Sequence, residues 1–460
     1  MYFRRRVFTH SSFRVNFKCT CILVLTCLMT VTIYVTTQSK RRYNELIINE
    51  VSGGLYTLGV NIIVLNNIAI DPSKVVGAIG GENPTKVANQ SESYELLLFK
   101  HGFIRTYVET NVTEKLLHSY ETNFINLIKS MELFQPVNLK RIKYYKEKVV
   151  FIVTRVEYAN LYHTMTDWYN TFLTMKLLNL KSTNIHILLV DGHPIGNLDE
   201  VWSKLFHNSI SRIGAYRLHY KTNLQRLLPI NNQDGLLYIG KIVVVPYGYA
   251  SPLYVDKPLI KNMFIEEFQQ FIFQSYNINN EVEEEEQEED ICQKRRSRKF
   301  LPKIIIISRC DYIAHPRNIN GIIHRKITNE LELLNGLKQL GFKNSMIICL
   351  TNLTIYEQLK LIKSTDILIG MHGAALTYSL LLMNTSCVIE LFPNYCCQTN
   401  KHFEKLTKLR NIHYTTYYGL PENDINTHTS YIPVDKFKSL VFNTYIKWKE
   451  QIQKKHINCL

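Results

Sequence analysis

The chain has 460 residues and a formal net charge of +15, from 54 Lys and Arg against 39 Asp and Glu. With 46% hydrophobic residues it can bury a sizeable core, which excludes a disordered or fibrous chain and suits two domains with appendages. The positive balance invites a nucleic-acid reading. The N-terminus argues against it and points to small acidic partners instead.

Cys19 to Thr37 contains no charged residue. As a helix this run spans roughly 28 Å, against a hydrocarbon core of about 30 Å. Arg4, Arg5, Arg6, Arg14 and Lys18 precede it; Lys40, Arg41 and Arg42 follow. The heavier positive flank predicts a type II signal-anchor: cytosolic tail 1–18, transmembrane segment 19–37, and the rest in a lumen. A cleaved signal peptide is the rival, but the run is long and no Ala-x-Ala-like site follows. A lumen agrees with the sequons at Asn89, Asn111, Asn352 and Asn384. Beyond the anchor lie Cys292, Cys310, Cys349, Cys387, Cys396, Cys397 and Cys459, an odd set without a zinc-like C-x-x-C pair. Disulfides are expected; their pairing is not readable.

Residues 38–146 read as a stem and irregular lead-in. Gly53-Gly54, Gly80-Gly81 and Asn83-Pro84 mark loops, and Thr113 to Leu133 has helical periodicity. An α/β domain is expected over 147–278. Its strands are Val149–Val153, Ile185–Val190 and Ile242–Val245. After the first strand come Arg155, Glu157, Asn160, His163, Asp167 and Asn170. The helical pattern over about 160–180 places His163 and Asp167 on one face, flanked by Asn160 and Asn170. Asp191-Gly192-His193 forms a turn after the second strand. Residues 279–300 then hold an acidic block, Glu281 to Asp290, and a basic one, Lys294 to Lys299. Neither can bury a face, so a solvated loop is expected.

The second domain, 301–460, opens on Ile304–Ile307 and a polar stretch with Arg309, Arg317 and Arg325. A helix follows from Asn329 and Glu330, then a strand at Met346–Leu350 and a helix at Ile355–Lys363. The apolar run Ile367–Ile369 ends in Gly370-Met-His-Gly-Ala-Ala375. A strand, a small-residue turn and a helix start make an anion site, because free N–H groups and the helix dipole point into the turn. Gly373 and Ala374 leave room for a phosphate there. Glu390 lies inside the next apolar run, Cys387–Phe392, and a buried charge needs a partner; the hydroxyls of a sugar would serve. An ordinary β-α-β unit with a surface Glu is the competing reading. Two successive α/β halves predict paired Rossmann-like domains with a ligand cleft between them.

The string Arg155-Val-Glu-Tyr-Ala-Asn-Leu-Tyr-His-Thr-Met-Thr-Asp-Trp-Tyr169 resembles the first signature of glycosyltransferase family 61, in particular its β-1,2-xylosyltransferase branch. Val190-Asp-Gly-His193, Ile307-Ser-Arg-Cys-Asp-Tyr-Ile-Ala-His-Pro-Arg317, Thr328-Asn-Glu330, Ile369-Gly-Met-His-Gly-Ala374 and His402-Phe-Glu404 continue the likeness. The resemblance implies a GT-B fold behind the membrane helix and stem. It also implies UDP-xylose as donor, the core β-mannose of an N-glycan on glycoproteins as acceptor, and a Golgi membrane location. It implies no metal or other cofactor, and the chain has no Asp-x-Asp. Three departures stand out. Ala375 replaces a family Gly; Lys326 stands where relatives carry Arg, so the role would pass to Arg325; and the acidic loop is an insertion.

Inversion at xylose needs a base and a stabilised leaving group. The expected base is Asp167 or His163, with Glu157 and Asp191 in reserve. Arg309, Arg317, Arg325 and the backbone at His372, Gly373 and Ala374 would hold the diphosphate, and Glu390 the ribose. Arg155, Asn160 and Asp191 would face the acceptor. Trp168 and Tyr169 read as core more than as sugar-stacking groups. Two alternatives remain open: a family 61 enzyme moving N-acetylglucosamine to protein or glycan, and a noncatalytic luminal glycan-binding protein.

Overall fold

The structure is a computed structural model. It describes residues 49–50, 56–58, 62–106, 122–133, 142–217, 227–231, 233–257, 263–278, 301–313, 315, 318, 320–420, 422–424 and 428–457. Two α/β halves are built on two sheets.

The first sheet has nine strands: β1 (Asn49–Glu50), β2 (Tyr56–Leu58), β3 (Ile62–Ile70), β4 (Ile104–Thr106), β5 (Met131–Leu133), β6 (Val149–Val153), β7 (Ile185–Leu189), β8 (Ile210–Arg212) and β9 (Leu237–Val244). Their order is β1-β2-β3-β9-β6-β7-β8, with β4 beside β3 and β5 beside β4. The β9-β6-β7-β8 stretch is parallel, and β3 joins it antiparallel, with Ile70 opposite Leu237 and Ile63 opposite Val244. Residues read above as an irregular lead-in therefore supply β3 and β4. Asn66 and Asn67 interrupt the apolar run, and Asn67 sits at φ 51°, a conformation that Asn tolerates well. That interruption hides one long strand as two short apolar pieces. Of the expected helix at 113–133, the described part is a helix at Thr122–Lys129 followed by β5.

The second sheet is wholly parallel: β10 (Ile304–Ser308), β11 (Ser345–Cys349), β12 (Ile367–Met371), β13 (Cys387–Pro393) and β14 (His413–Leu420), in the order β11-β10-β12-β13-β14. Strands covered on both faces need continuous apolar runs, which is what Ile304–Ile307 and Ile367–Ile369 supply. Disulfides join Cys310 to Cys349 and Cys396 to Cys397, while Cys387 is a buried thiol whose Sγ lies 3.9 Å from Gln451 Oε1.

Three helices position the site: α1 (Leu161–Leu177), α2 (Ile265–Ser275) and α3 (His402–Leu409). One apolar core runs through both halves and includes Phe172 and Phe268 with Leu380 and Leu406. Polar ties cross the same seam. Gln269 Nε2 donates to the carbonyls of Leu381 at 2.7 Å and Leu382 at 2.9 Å. Arg410 Nη2 donates to Gln269 Oε1 at 3.1 Å.

The expectation of an N-terminal membrane helix ahead of the catalytic fold is corrected. No helix among the described residues is long and apolar enough to cross a membrane. The longest of them, Val434–Ile457, is laced with lysines and carboxylates. Cys19–Thr37 lies outside the described residues, as do the charged loop 279–300, Arg317 and Asn111. The architecture is α/β with mixed sheets. The sequon residues Asn89, Asn352 and Asn384 are all exposed.

Candidate active site

The carboxyl ends of β10, β12 and β13 carry the polar residues of the second half. At the end of β12 the His372 N–H donates to Leu391 O at 2.9 Å, and Gly373 opens a 3-10 helix over Ala374–Leu381. A Cβ on Gly373 would lie 2.1 Å from Arg309 Nη1, so the guanidinium rests directly on the turn backbone. Gly373→Ala therefore displaces Arg309. Affinity for a phosphate-bearing ligand at this turn is expected to fall about tenfold or more by calorimetry, with Tm changed little, since a charged hydrogen bond to phosphate is worth about 1.5–3 kcal/mol.

Arg309 is held by a hydrogen bond from Nε to His324 O at 2.7 Å. Burial first, then the neighbouring Arg325, pushes its pKa down to about 10. Burial also lowers that of Arg325, against the opposing pull of Tyr395 and Glu390. Among the described residues, neither guanidinium forms an ion pair with a carboxylate. Two half-buried, mutually repelling cations without an acid make a site that favours an anion. Lys326 is not part of it: its Nζ is paired with Asp311 Oδ2 at 2.6 Å, on the outside of the loop.

Glu390 does not face an open ribose pocket. It is fully buried; Oε1 lies 2.5 Å from His372 Nδ1, and Oε2 accepts from the Tyr414 hydroxyl. Both oxygens are thus occupied in orienting His372, whose ring stacks on Phe392 at 5.2 Å. The Tyr414 phenol is pushed up by burial and then by Glu390.

The first half presents His163 from the first turn of α1, half-buried and edge-on to Tyr162 and Tyr249, each at 5.5 Å. Burial lowers its pKa below the usual imidazole value, against Glu157. From the second half His402 meets it. The His402 ring lies 4.7 Å from Tyr162 and 5.5 Å from Tyr254. Burial, then His372 and His163, lower its pKa, while Asp256 opposes. Three imidazoles therefore converge where the halves meet. His402 belongs to a string that carries the family likeness, but no site role was assigned to it from the sequence. Its signal was a histidine opening a helix after the buried strand β13.

The remaining expected site residues have other partners. Arg155 and Asp191 are both fully buried. Arg155 donates to Asp191 from Nε at 2.9 Å and Nη2 at 2.7 Å, and to Asp199 from Nη1 at 2.7 Å. Arg212 donates to the other Asp199 oxygen at 2.7 Å. Arg155 and Asp191, enclosed within this network, offer no surface to an acceptor; its Asp199 and Arg212 line a cavity with Ile195 and Trp202. Asn160 caps α1, its Oδ1 accepting from the Tyr162 N–H at 2.9 Å. Glu157 Oε1 accepts from the N–H groups of Tyr158 at 2.8 Å and Ala159 at 3.0 Å. Glu157, Glu92 and His315 bring ligand atoms within 4.8 Å of one another, the one such metal-capable group among the described residues. Trp168 and Tyr169 are core residues.

Asp167, one turn along α1 from His163, is enclosed among Arg155, Asp191 and the Val156 backbone. It is 1% exposed, and Oδ2 has no hydrogen-bond partner among the described residues. Burial holds its carboxyl well above the ordinary range; Arg155 pulls the other way, Asp191 adds to the rise, and the Val156 N–H opposes it. The neutral form is thus favoured in the fold, and its stabilising contribution is lost as pH rises from about 4, the unfolded value, through the raised folded value. Asp167→Asn is expected to flatten this part of the Tm-against-pH curve; an unchanged slope would contradict it.

A family model described as Glycosyltransferase 61 matches residues 161–389. Beta-1,2-xylosyltransferase RCN11 of Oryza sativa subsp. japonica is 23% identical over 396 residues, covering 78% of this chain and 68% of that protein. The Arabidopsis thaliana beta-1,2-xylosyltransferase is 23% identical over 409 residues, covering 78% and 73%. The EGF domain-specific O-linked N-acetylglucosamine transferase of Mus musculus is 25% identical over 296 residues, covering 62% and 47%. The family match runs from the first residue of α1 into β13, through His163, Arg309, Arg325 and the His372 turn. The chain is a member of glycosyltransferase family 61.

Proposed function

We propose that this glycosyltransferase is an inverting enzyme that moves xylose from UDP-xylose in β-1,2 linkage to the core β-mannose of N-glycans. The observation that carries a nucleotide-sugar site is the half-buried pair Arg309 and Arg325, without a carboxylate partner among the described residues, against the His372 turn. Similarity over 78% of the chain to plant xylosyltransferases, against 62% to the N-acetylglucosamine transferases, favours xylose as the sugar.

In this reading the donor diphosphate lies across Arg309, Arg325 and the N–H groups that follow Gly373. The two guanidiniums neutralise charge as the bond from C1 to the phosphate oxygen breaks. His163, held neutral by burial, takes the proton from the attacking mannose hydroxyl. His372, fixed by Glu390, faces the leaving-group side. Exposed Asn89, Asn352 and Asn384 suit a Golgi lumen.

A second reading, transfer of N-acetylglucosamine from UDP-GlcNAc, rests on the likeness to the EGF-domain enzymes. The test offers the purified protein UDP-xylose or UDP-GlcNAc with a trimannosyl N-glycan carrying terminal GlcNAc, and weighs the glycan. Gain of one pentose supports the first reading. Transfer from UDP-GlcNAc alone supports the second.

A further inference from the structure

The loop after β13 carries Cys396 and Cys397, joined to each other by a disulfide. Cys397 sits at φ 72° and Arg325 at φ 63°, both in the left-handed region that non-glycine residues rarely enter. Their side chains meet, with Arg325 Nη1 3.8 Å from Cys397 Sγ. Both cysteines are half-buried. The charged and titratable groups around them are Arg309, His324 and Arg325 from the loop after β10, Glu390 and Tyr395 from β13 and its loop, and His428. His324 and His428 lie 5.0 Å apart, and the Tyr395 hydroxyl donates to His428 O at 2.6 Å. The one carboxylate in this group, Glu390, is occupied by His372 and Tyr414.

Resting on the reading of this cleft as a nucleotide-sugar site, we propose that the Cys396–Cys397 disulfide is a positioning group for the donor, setting Arg325 for phosphate while leaving its charge unsatisfied. A disulfide is neutral and cannot pair with a guanidinium. The reduced pair behaves differently. A dithiol attacks one sulfur, forms a mixed disulfide and closes on itself, leaving two electrons and two protons on the cysteines. One of the new thiols then releases its proton to solvent, favoured by the two guanidiniums. The resulting thiolate pairs with Arg325 and competes with the donor phosphate.

The experiment measures UDP affinity of the full chain by calorimetry, oxidised and after dithiothreitol, at about pH 6.5 and about pH 8.5, which bracket the rise of a thiolate near arginine. Reduction is expected to weaken UDP by about tenfold at the higher pH and by less at the lower, the worth of one charge-assisted contact. C396S/C397S has no thiolate to form, so its affinity is the same with and without reductant at each pH. C310S/C349S keeps the response, which assigns it to the right pair. Equal affinities for the oxidised and reduced wild type overturn the inference, as does a response that persists in C396S/C397S. Failure of the oxidised wild type to bind UDP overturns the nucleotide-sugar reading itself.

Discussion

His163→Ala lowers kcat by about 10²–10⁴, the range for loss of a positioned general base, and leaves UDP affinity within about threefold. The separation of these two effects follows from placement. His163 belongs to α1 in the first half, whereas the arginines and the His372 turn belong to the second. Its ring is fixed by two tyrosines and pushed toward the neutral form by burial. A depressed imidazole pKa keeps the base form populated below about pH 6.5, so the acidic limb of kcat against pH lies under that value. Asp167→Asn is expected to leave this limb in place, because the carboxyl is enclosed and the groups that act on the imidazole are burial and Glu157. A loss of activity in Asp167→Asn equal to that in His163→Ala would reverse the assignment.

Asp191→Ala destabilises the fold by about 3–5 kcal/mol, the range for removing one member of a buried ion pair. Arg155 would keep only Asp199, which is partly exposed. Burial alone would lower its pKa, yet Asp191 and Asp199 more than offset this and raise it, so the guanidinium stays charged when enclosed. Burial works to raise the Asp191 pKa as well, but Arg155, with His193 and Arg212, holds it below the ordinary carboxylate value. A depressed folded pKa gives stability that is present above about pH 4 and lost as pH falls through the folded value. Chemical denaturation of Asp191→Ala against wild type at pH 7 measures the difference. A change under about 1 kcal/mol, the worth of an exposed pair, would contradict a buried lock.

Parallel strands of the second sheet were legible because burial on both faces demands unbroken apolar runs, and Ile304–Ile307 and Ile367–Ile369 have no other use. The turn at His372-Gly373 was legible for a related reason: a small-residue turn after such a strand leaves room for something to approach the backbone. What the sequence could not reveal is which group occupies that room first, and Arg309 does. Partnership over long separations was also hidden. Glu390 needed a partner, as a buried charge must, but His372 and Tyr414 supply it in place of a sugar. Arg155 and Asp191 read as acceptor-facing because Asp199 and Arg212, which complete their network, lie 44 and 13 residues away from their own partners in the chain. His402 was legible as part of the family likeness but not as a site residue, since Tyr162 and Tyr254, which cradle its ring, come from the other half. Strand β3 was obscured by Asn66 and Asn67.

Binding of UDP to the wild type and to an Arg309→Gln/Arg325→Gln double variant, followed by calorimetry at low and high salt, bears most directly on how this cleft works. Salt-sensitive binding by the wild type and a loss of about 10²-fold or more in the variant, with Tm preserved, is the predicted outcome for two charge-assisted phosphate contacts. Equal affinity of the two proteins for UDP would contradict the assignment of these two cations to the donor diphosphate.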